Sequence, residues 1–350
     1  MISKIFSAVA SIINLFIFLI FTVNSIAEEK NSKYFNNELG TLSLMYHRFD
    51  ENKYPSTNIK MDIFKNQIQI IKEKNYQFED PDNFQKNFES PKNEKKILIT
   101  IDDAFSSFYE KAWPFLKKNK IPFILFVSTE PVGKNGYMTW KQIKEVEKEK
   151  FAYIGNHSHS HEYLLDLNFQ DFKKDINKSI KIFKNELGYS PIYYSHPFGE
   201  YSQKQIEFLK KKFKFAFGQH SGVIDVNKDK YQLPRFPINE KYGDLDRFKF
   251  VIDLLPLQYK SIEPVDMYIT QNNPPKLIIE FFENQKNIKK INCFSDEGNK
   301  WDKSNIVFTD QKLQVNFRDK FLFRRGRVNC SLNDNGWHWF GIQFSVKEIK

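Results

Sequence analysis

The stretch KKILITIDDAF, residues 95–105, decides the fold of this chain. Residues 97–101 read ILITI, a run that is apolar apart from one threonine and is typical of a strand buried on both faces in a parallel sheet. The run stops at two adjacent carboxylates, Asp102 and Asp103. Carboxylates held close together repel each other unless a cation or two separate roles relieve the repulsion. Taken alone, such a pair is more often a helix cap or a turn.

Strands and helices alternate on both sides of this stretch, from residue 41 to residue 250. This alternation predicts an α/β domain with a parallel sheet covered by helices, either a barrel or a doubly wound sheet. In both architectures the functional site forms at the carboxyl ends of the strands. The further strands are predicted at 41–49, 121–127, 151–158, 192–199 and 213–222, and the helices at 61–76, 106–120, 139–150, 169–187 and 202–212. Serines are expected to cap the helix at 106–120, and Gly188 is expected to end the helix at 169–187.

The C-terminal part of the chain has a different pattern. Short alternating or apolar runs broken by Asn, Asp and Gly predict a small antiparallel β-sandwich at 262–350, after a domain at 41–258. Its two cysteines, Cys293 and Cys330, are expected to form a disulfide in an oxidising compartment, with two buried thiols as the alternative. Its tryptophans Trp301, Trp337 and Trp339 are either sugar-stacking platforms or packing residues.

The N-terminal segment has the features of an export signal. A lysine near the start, an apolar run over residues 12–23 and small residues at 25–27 predict a signal peptide at 1–27, followed by a polar leader at 28–40. An uncleaved membrane anchor is the alternative. We therefore expect an exported protein, periplasmic or extracellular, and a monomer.

The net charge of the chain is +10, which favours anionic partners such as polymers of the cell envelope. The lysines are scattered, and no compact basic run with interleaved aromatic residues indicates a nucleic-acid interface.

Three of the seven histidines lie within the stretch IGNHSHSHEYL, residues 154–164. His157 and His161 are four residues apart, so a helical turn would place both imidazoles on one face, where they could reach one metal ion. With one carboxylate from the aspartate pair they would leave open positions for water and substrate, as catalytic metal sites do. His159 is expected to point away.

TIDDAFSS followed by GNHSHSH resembles the first two motifs of the polysaccharide deacetylases, carbohydrate esterase family 4. The family pattern is T-F-D-D and then H-[ST]-x-x-H, and Ile101 stands here in place of the phenylalanine. LMYHRF, TWKQI, HPFGEYS and LPRFPI extend the resemblance over roughly residues 40–250. The resemblance implies a distorted (β/α) barrel and metal-dependent removal of acetyl groups from N-acetylated sugars, usually with zinc.

The resemblance also implies roles by position. Asp102 matches the catalytic base of the family, and Asp103, His157 and His161 match its metal ligands. Nitrogen and oxygen ligands of this kind accept zinc, cobalt, nickel or iron.

Two parts of the family pattern are missing. The third motif of the family usually starts with an arginine, but this chain has Ser195 there. Arg235 in LPRFPI is our candidate for the residue that orients the base. The alternative is that Arg235 forms an ion pair at the surface. The general acid of the family has no clear counterpart, and His220 is our candidate. His47 is expected either to line the substrate site or to be a core histidine. Pro197 and Phe198, in HPFGEYS, are expected to contact the substrate.

The leading hypothesis is a polysaccharide N-deacetylase that uses a divalent metal and acts on N-acetylglucosamine-containing polysaccharide of the cell envelope or exterior. An O-acetyl esterase on the same scaffold, a glycan-binding protein without activity and a structural metal protein with a closed four-ligand site are the alternatives.

Overall fold

The computed structural model describes residues 39–347 except 284 and 286. The expected signal peptide at 1–27 and most of the leader lie outside the described residues. Within the described part of the chain, every helix is too short or too polar to cross a lipid bilayer.

A parallel sheet forms the centre of the N-terminal domain, with the strand order β10-β1-β5-β6-β7-β8-β9 and β4 paired to β5. The predicted α/β domain is therefore confirmed. The strands are β1 (Thr41–Tyr46), β2 (Arg48–Phe49), β3 (Asn58–Ile59), β4 (Gln77–Phe78), β5 (Lys96–Ile101), β6 (Phe123–Val127), β7 (Ala152–Asn156), β8 (Tyr193–Ser195), β9 (Phe215–Phe217) and β10 (Phe236–Pro237). The helices are α1 (Met61–Glu73), α2 (Pro81–Glu89), α3 (Trp113–Asn119), α4 (Trp140–Glu147), α5 (Phe169–Leu187), α6 (Gln203–Leu209) and α7 (Leu245–Ile252).

Strand β5 is apolar on both faces because each face packs against a separate core. Ile99 belongs to the core that contains Phe64 of α1, under the helices. Leu98 belongs to a smaller core with Phe126 of β6 and Phe217 of β9, inside the curled sheet. Each fully buried side chain of this size contributes about 1.5–3 kcal/mol to folding.

The sheet curls into a distorted barrel because one segment joins its two edges. The backbone of Leu233 exchanges hydrogen bonds with Ala216 and Gly218 at β9, while β10, three residues later, pairs with β1. Arg235 lies in the middle of this segment, and its side chain is completely buried. Closure of the sheet therefore carries an arginine into the interior.

One predicted helix differs in detail. In place of a continuous helix over 106–120, a π-helical turn at Phe108–Ala112 precedes α3. Pro114 has no N–H to donate and its ring crowds the preceding turn, so the wider hydrogen-bonding pattern before it relieves the clash. The expected serine cap does not form, because the hydroxyl of Ser107 accepts a hydrogen bond from the backbone N–H of Phe49 instead (3.2 Å).

Two further sheets form the C-terminal region. One has the order β11-β20-β19-β15-β16 with β13 on β20, and the other has the order β12-β14-β18-β17. The longer pairings are antiparallel, and buried residues of both sheets share one core, which confirms the expected sandwich. The strands are β11 (Leu255–Pro256), β12 (Ser261–Glu263), β13 (Tyr268–Ile269), β14 (Leu277–Glu280), β15 (Asn292–Ser295), β16 (Asp302–Lys303), β17 (Asn305–Thr309), β18 (Lys312–Asn316), β19 (Arg325–Asn333) and β20 (Trp337–Val346).

The disulfide prediction is confirmed. Cys293 of β15 and Cys330 of β19 are direct cross-strand partners, both fully buried and bonded to each other. Disulfides are typical of proteins that fold outside the cytoplasm, in agreement with the expected export.

Candidate metal and catalytic site

The residues that the sequence singled out gather at one edge of the sheet, and all but Arg235 follow the carboxyl end of a parallel strand, as that fold predicts. They belong to six strands that are far apart in the sequence but lie in one sheet. His47 follows β1, Asp102 and Asp103 follow β5, His157 follows β7, Pro197 lies just after β8, His220 lies just after β9 and Arg235 precedes β10.

Three candidate metal ligands converge at this end of the sheet. Donor atoms of Asp103, His157 and His161 all lie within 4.8 Å of one another. The Oδ1 atom of Asp103 is 3.5 Å from Nε2 of His157 and 3.1 Å from Nε2 of His161. Two imidazoles and one carboxylate are the ligand set of an open divalent metal site.

The loop that carries the two histidines is not the helical turn that their spacing suggested. Ser158 and His161 have φ angles of 70° and 56°, in the left-handed region. Such backbone is strained for residues other than glycine and persists only where the surroundings hold it. Asn156 accepts a hydrogen bond from the N–H of Ser158 (2.8 Å), and the Ser158 hydroxyl accepts one from the N–H of His161 (3.1 Å). His159 points away, with its Nδ1 2.8 Å from the hydroxyl of Thr129.

His157 has the environment of a metal-binding histidine. Its Nε2 is buried and has no hydrogen-bond partner among the described residues, while its Nδ1 lies 2.8 Å from the backbone oxygen of Ser195. A carbonyl on the second ring nitrogen fixes the orientation and tautomer of such ligands. Burial lowers the pKa of His157 to about 4, so the imidazole is neutral and able to bind a cation at neutral pH. The residues therefore fit a divalent metal such as zinc.

Asp102 lies beside this cluster in a buried ion pair. Arg235, 0% exposed, donates from Nη1 to Oδ1 of Asp102 at 2.7 Å and from Nη2 to Oδ2 at 2.8 Å. Burial acts to raise the pKa of Asp102, but the charges of Arg235 and His157 outweigh it, so the pKa lies below its ordinary value. The carboxylate is therefore ionised at neutral pH, with its Oδ2 3.7 Å from Nε2 of His157.

The ion pair between Arg235 and Asp102 also explains why this chain can have Ser195 where the third motif of the family usually has an arginine. The hydroxyl of Ser195 accepts a hydrogen bond from Nη2 of Arg235 (2.8 Å) and lies 3.3 Å from Asp102. The guanidinium arrives from the closing segment of the barrel, and its remaining donors bond to the carbonyl of Gly218 and the hydroxyl of Thr100. Arg235 is therefore not the surface arginine of the alternative.

Comparison with known proteins gives the same family. Residues 89–213 match the sequence profile of the polysaccharide deacetylases. This region belongs to the polysaccharide deacetylase family. The poly-β-1,6-N-acetyl-D-glucosamine N-deacetylase of Staphylococcus aureus (strain MSSA476) is 26% identical over 160 residues, which are 42% of this chain and 55% of that protein. The chain thus spans about half the length of the curated relatives it matches.

Solved structures share the fold of the deacetylase domain. The deacetylase PplD of Streptococcus pyogenes aligns with a TM-score of 0.57 at 20% identity, over 62% of this chain and 99% of that one. IcaB of Ammonifex degensii aligns with a TM-score of 0.54 at 24% identity, over 62% and 98% of the two chains.

A cavity of about 780 Å³ opens above the metal ligands of the deacetylase domain. His47, Phe198 and His220 line it, together with Asp103 and His161. Phe198 adopts a left-handed φ of 58° and places its ring 4.8 Å from that of His161.

The expectation for Pro197 needs correction. This residue is buried in the short 3-10 turn at Pro197–Gly199 and is not among the residues that line the cavity. Its rigid ring begins the turn that projects Phe198, so it supports a cavity residue without reaching the substrate space itself.

The two other candidate histidines, His47 and His220, differ in their surroundings. Burial lowers the pKa of His47, while the negative charges of Asp103 and Asp102 act to raise it. Burial and then the charge of Arg235 lower the pKa of His220 to about 4. Both histidines line the cavity.

Part of the cavity wall was missed by sequence reasoning. Arg325, Arg327 and Asn329 of the C-terminal sandwich line the same space as the metal ligands, beside Trp301 and Trp339, which the sequence had already singled out. The basic run RGR was the available signal, but nothing in the linear pattern placed it opposite the histidines.

The three tryptophans differ in their surroundings, and sugar stacking stays a prediction. The ring of Trp339 lies 6.4 Å from that of Phe236, and its Nε1 donates to the hydroxyl of Ser221 (3.0 Å), so it packs between the domains. Trp337 lies 6.0 Å from Phe250 of α7. Trp301 is 43% exposed on the cavity wall.

We expect Arg235→Met to lower the free energy of unfolding by about 3–5 kcal/mol, because it leaves a buried carboxylate without its counter-charge. Adding Asp102→Asn should recover part of this loss, since the isolated charge is then absent. Urea unfolding of the two single variants and the double variant measures the coupling. Lys249→Met, at an exposed ion pair of α7, is the control and should change stability by less than about 0.5 kcal/mol. Equal stability of Arg235→Met and the wild type would contradict the buried pair.

We also expect Asp103→Asn, His157→Ala and His161→Ala each to weaken zinc binding by more than the roughly 10–100-fold that loss of an outer partner costs. The matched control is His159→Ala in the same loop, which should bind zinc like the wild type because its side chain points to Thr129. Isothermal titration calorimetry of the metal-free protein with zinc measures the effect. A comparable loss in the His159→Ala variant would show that the loop, and not the three ligands, determines affinity.

Proposed function

We propose that this protein is a metal-dependent polysaccharide N-deacetylase that hydrolyses N-acetyl groups of an N-acetylglucosamine-containing polysaccharide outside the cytoplasm. The observation that carries the proposal is an ionised Asp102, clamped by Arg235, beside three converging metal ligands at the floor of an open cavity. A site for sugar binding alone has no need of a buried base. The name of the S. aureus relative, which shares part of this chain, supports the choice of polymer.

Each residue of the site has a separate task in this reaction. Asp103, His157 and His161 would hold a divalent ion, which supplies Lewis-acid chemistry by acidifying a water molecule and polarising the acetyl carbonyl. Asp102 accepts the proton of the attacking water. Arg235 fixes the orientation of Asp102 through two parallel hydrogen bonds, a geometry that a lysine could not reproduce.

The leaving sugar amine must be protonated as the amide bond breaks, which requires a general acid. His47 is our choice because it lines the cavity together with Asp103, and the negative charges of Asp103 and Asp102 act to raise its pKa against the effect of burial. His220 lines the cavity as well and remains the second candidate.

We expect the zinc-loaded protein to release acetate from poly-β-1,6-N-acetylglucosamine and Asp102→Asn to release at least about 100-fold less, because loss of a general base costs about 10²–10⁴-fold in rate. Chelation should also stop the reaction, and added zinc should restore it. The released acetate is measured enzymatically. An O-acetylated xylan is tested in parallel as the ester substrate. The matched control is the exposed variant Asp246→Asn. Acetate release that neither the chelator nor Asp102→Asn changes would exclude the proposal, and release from the ester alone would assign an esterase.

The two histidines are separated by the chemistry of the leaving group. An amine must be protonated to leave, whereas 4-nitrophenolate leaves without a proton, so loss of the general acid should slow amide hydrolysis by about 10²–10⁴-fold and spare 4-nitrophenyl acetate. We expect this selective loss for His47→Ala. The same pattern in His220→Ala, with His47→Ala affecting both substrates equally, would transfer the role to His220.

A further inference from the structure

The C-terminal sandwich is held firmly against the mouth of the catalytic cavity. Arg324, at the start of β19, donates to both carboxylate oxygens of Glu200 (2.9–3.0 Å) and of Asp166 (2.9–3.0 Å) in the deacetylase domain. Gln343 of β20 donates to the backbone oxygen of Phe198 (3.0 Å). The wall that the sandwich contributes therefore has a defined position relative to the metal ligands.

Both domains contribute positive charge to the cavity. Of the charged residues that line it, four are cations, Lys241, Arg247, Arg325 and Arg327, and one is a carboxylate, the metal ligand Asp103. Three of the cations, Lys241, Arg325 and Arg327, continue into an adjoining groove of about 550 Å³ on the outer side. Clefts lined by one sign of charge concentrate ligands of the opposite sign.

The two arginines on the wall have carboxylate partners only at long ion-pair distances. Glu200 is engaged by Arg324, and the Nε atom of Arg325 is 3.9 Å from the same carboxylate. Nη1 of Arg327 is 3.8 Å from Asp296, beyond hydrogen-bond distance. Burial, followed by the charge of Arg327, lowers the pKa of Arg325, as expected for a guanidinium in a positive environment.

These arginines are close to the reaction centre. The guanidinium of Arg325 lies 5.9 Å from the centre of the Phe198 ring, and that ring lies 4.8 Å from the ring of the metal ligand His161. One aromatic side chain thus separates the metal site from the arginine. Trp301 belongs to both the cavity and the outer groove, where an exposed ring can stack on a sugar.

We infer that the C-terminal sandwich completes the substrate cleft and that the cleft takes an acetylated glycan with anionic groups on sugars beside the one that is deacetylated. This inference rests on the proposed function and narrows its substrate class. A guanidinium pairs with a carboxylate or a phosphate through two parallel hydrogen bonds, which neutral sugar hydroxyls do not offer. A carboxylate or a phosphate on the polymer would give Arg325 and Arg327 a closer partner than Glu200 and Asp296, which lie 3.9 Å and 3.8 Å away.

The test compares oligosaccharides of equal length on the zinc-loaded protein by calorimetry, with acetate release followed in parallel. The probes are neutral N-acetylchitooligosaccharides, oligosaccharides that alternate glucuronate with N-acetylglucosamine, and phosphodiester-linked N-acetylglucosamine oligomers. We expect at least one anionic probe to bind about 5–10-fold more tightly than the neutral one, with the advantage shrinking as salt rises. Whichever anion is preferred identifies the source of the charge.

The variants Arg325→Gln and Arg327→Gln should reduce this preference, and Arg327→Lys should retain part of it. Because Arg325 is partly buried, Arg327→Gln combined with Lys241→Gln is a second variant that removes two charges from more exposed positions. Trp301→Ala should weaken the binding of neutral and anionic probes alike, since stacking does not depend on charge. The matched control is Lys312→Gln, which removes one positive charge from β18 on the other sheet.

Equal affinity for neutral and anionic probes would overturn the inference, as would a preference that Arg327→Gln and Lys312→Gln reduce equally. Acetate release without any preference for anions would leave the deacetylase proposal standing and remove the narrower substrate class. Selective binding of anionic probes without acetate release would support the cleft and count against the deacetylase proposal.

Discussion

The buried pair of Asp102 and Arg235 is the interaction on which the site depends. Neither charge is tolerable alone in the interior, because removing an ion from water costs several kcal/mol unless a partner compensates. The pair joins the end of β5 to the segment that closes the sheet, 133 residues further along the chain. Folding of the barrel and preparation of an ionised, oriented carboxylate are therefore the same event.

Several residues of the candidate site have a backbone conformation that local preferences disfavour. Asp103, His161 and Phe198 all have φ angles between 56° and 75°. Residues other than glycine pay for that conformation, and hydrogen bonds from the surrounding loops maintain it. At Asp103 this turn breaks the alternation of the strand, which allows two consecutive carboxylates to serve one cavity.

The cleft is a product of two domains. The deacetylase domain supplies the metal ligands and the base, while the sandwich supplies aromatic and cationic groups opposite them. Because Arg324 and Gln343 bond to the loops after β7 and β8, the sandwich is placed by the same loops that carry His161 and Phe198. In the proposed function, substrate choice and chemistry would therefore depend on neighbouring segments of different domains.

Much of the fold and of the candidate site can be predicted from the sequence. The apolar run before Asp102 determined a buried parallel strand, and the aspartates and spaced histidines determined the chemical type of the site, because these signals are local. The serine cap was wrong because the hydroxyl of Ser107 bonds to Phe49, a residue far away in the sequence. The helical turn between His157 and His161 was wrong because Ser158 and His161 adopt left-handed backbone conformations.

Only the tertiary structure decided how Arg235 reaches Asp102, that Pro197 lies beneath the cavity, and that Arg325 and Arg327 face the metal ligands. Sequence could nominate Arg235 but could not show its partner. These arrangements depend on contacts between residues far apart in the chain, and the energy of such contacts comes from burial and charge pairing that exist only once the sheet has closed and the second domain has docked.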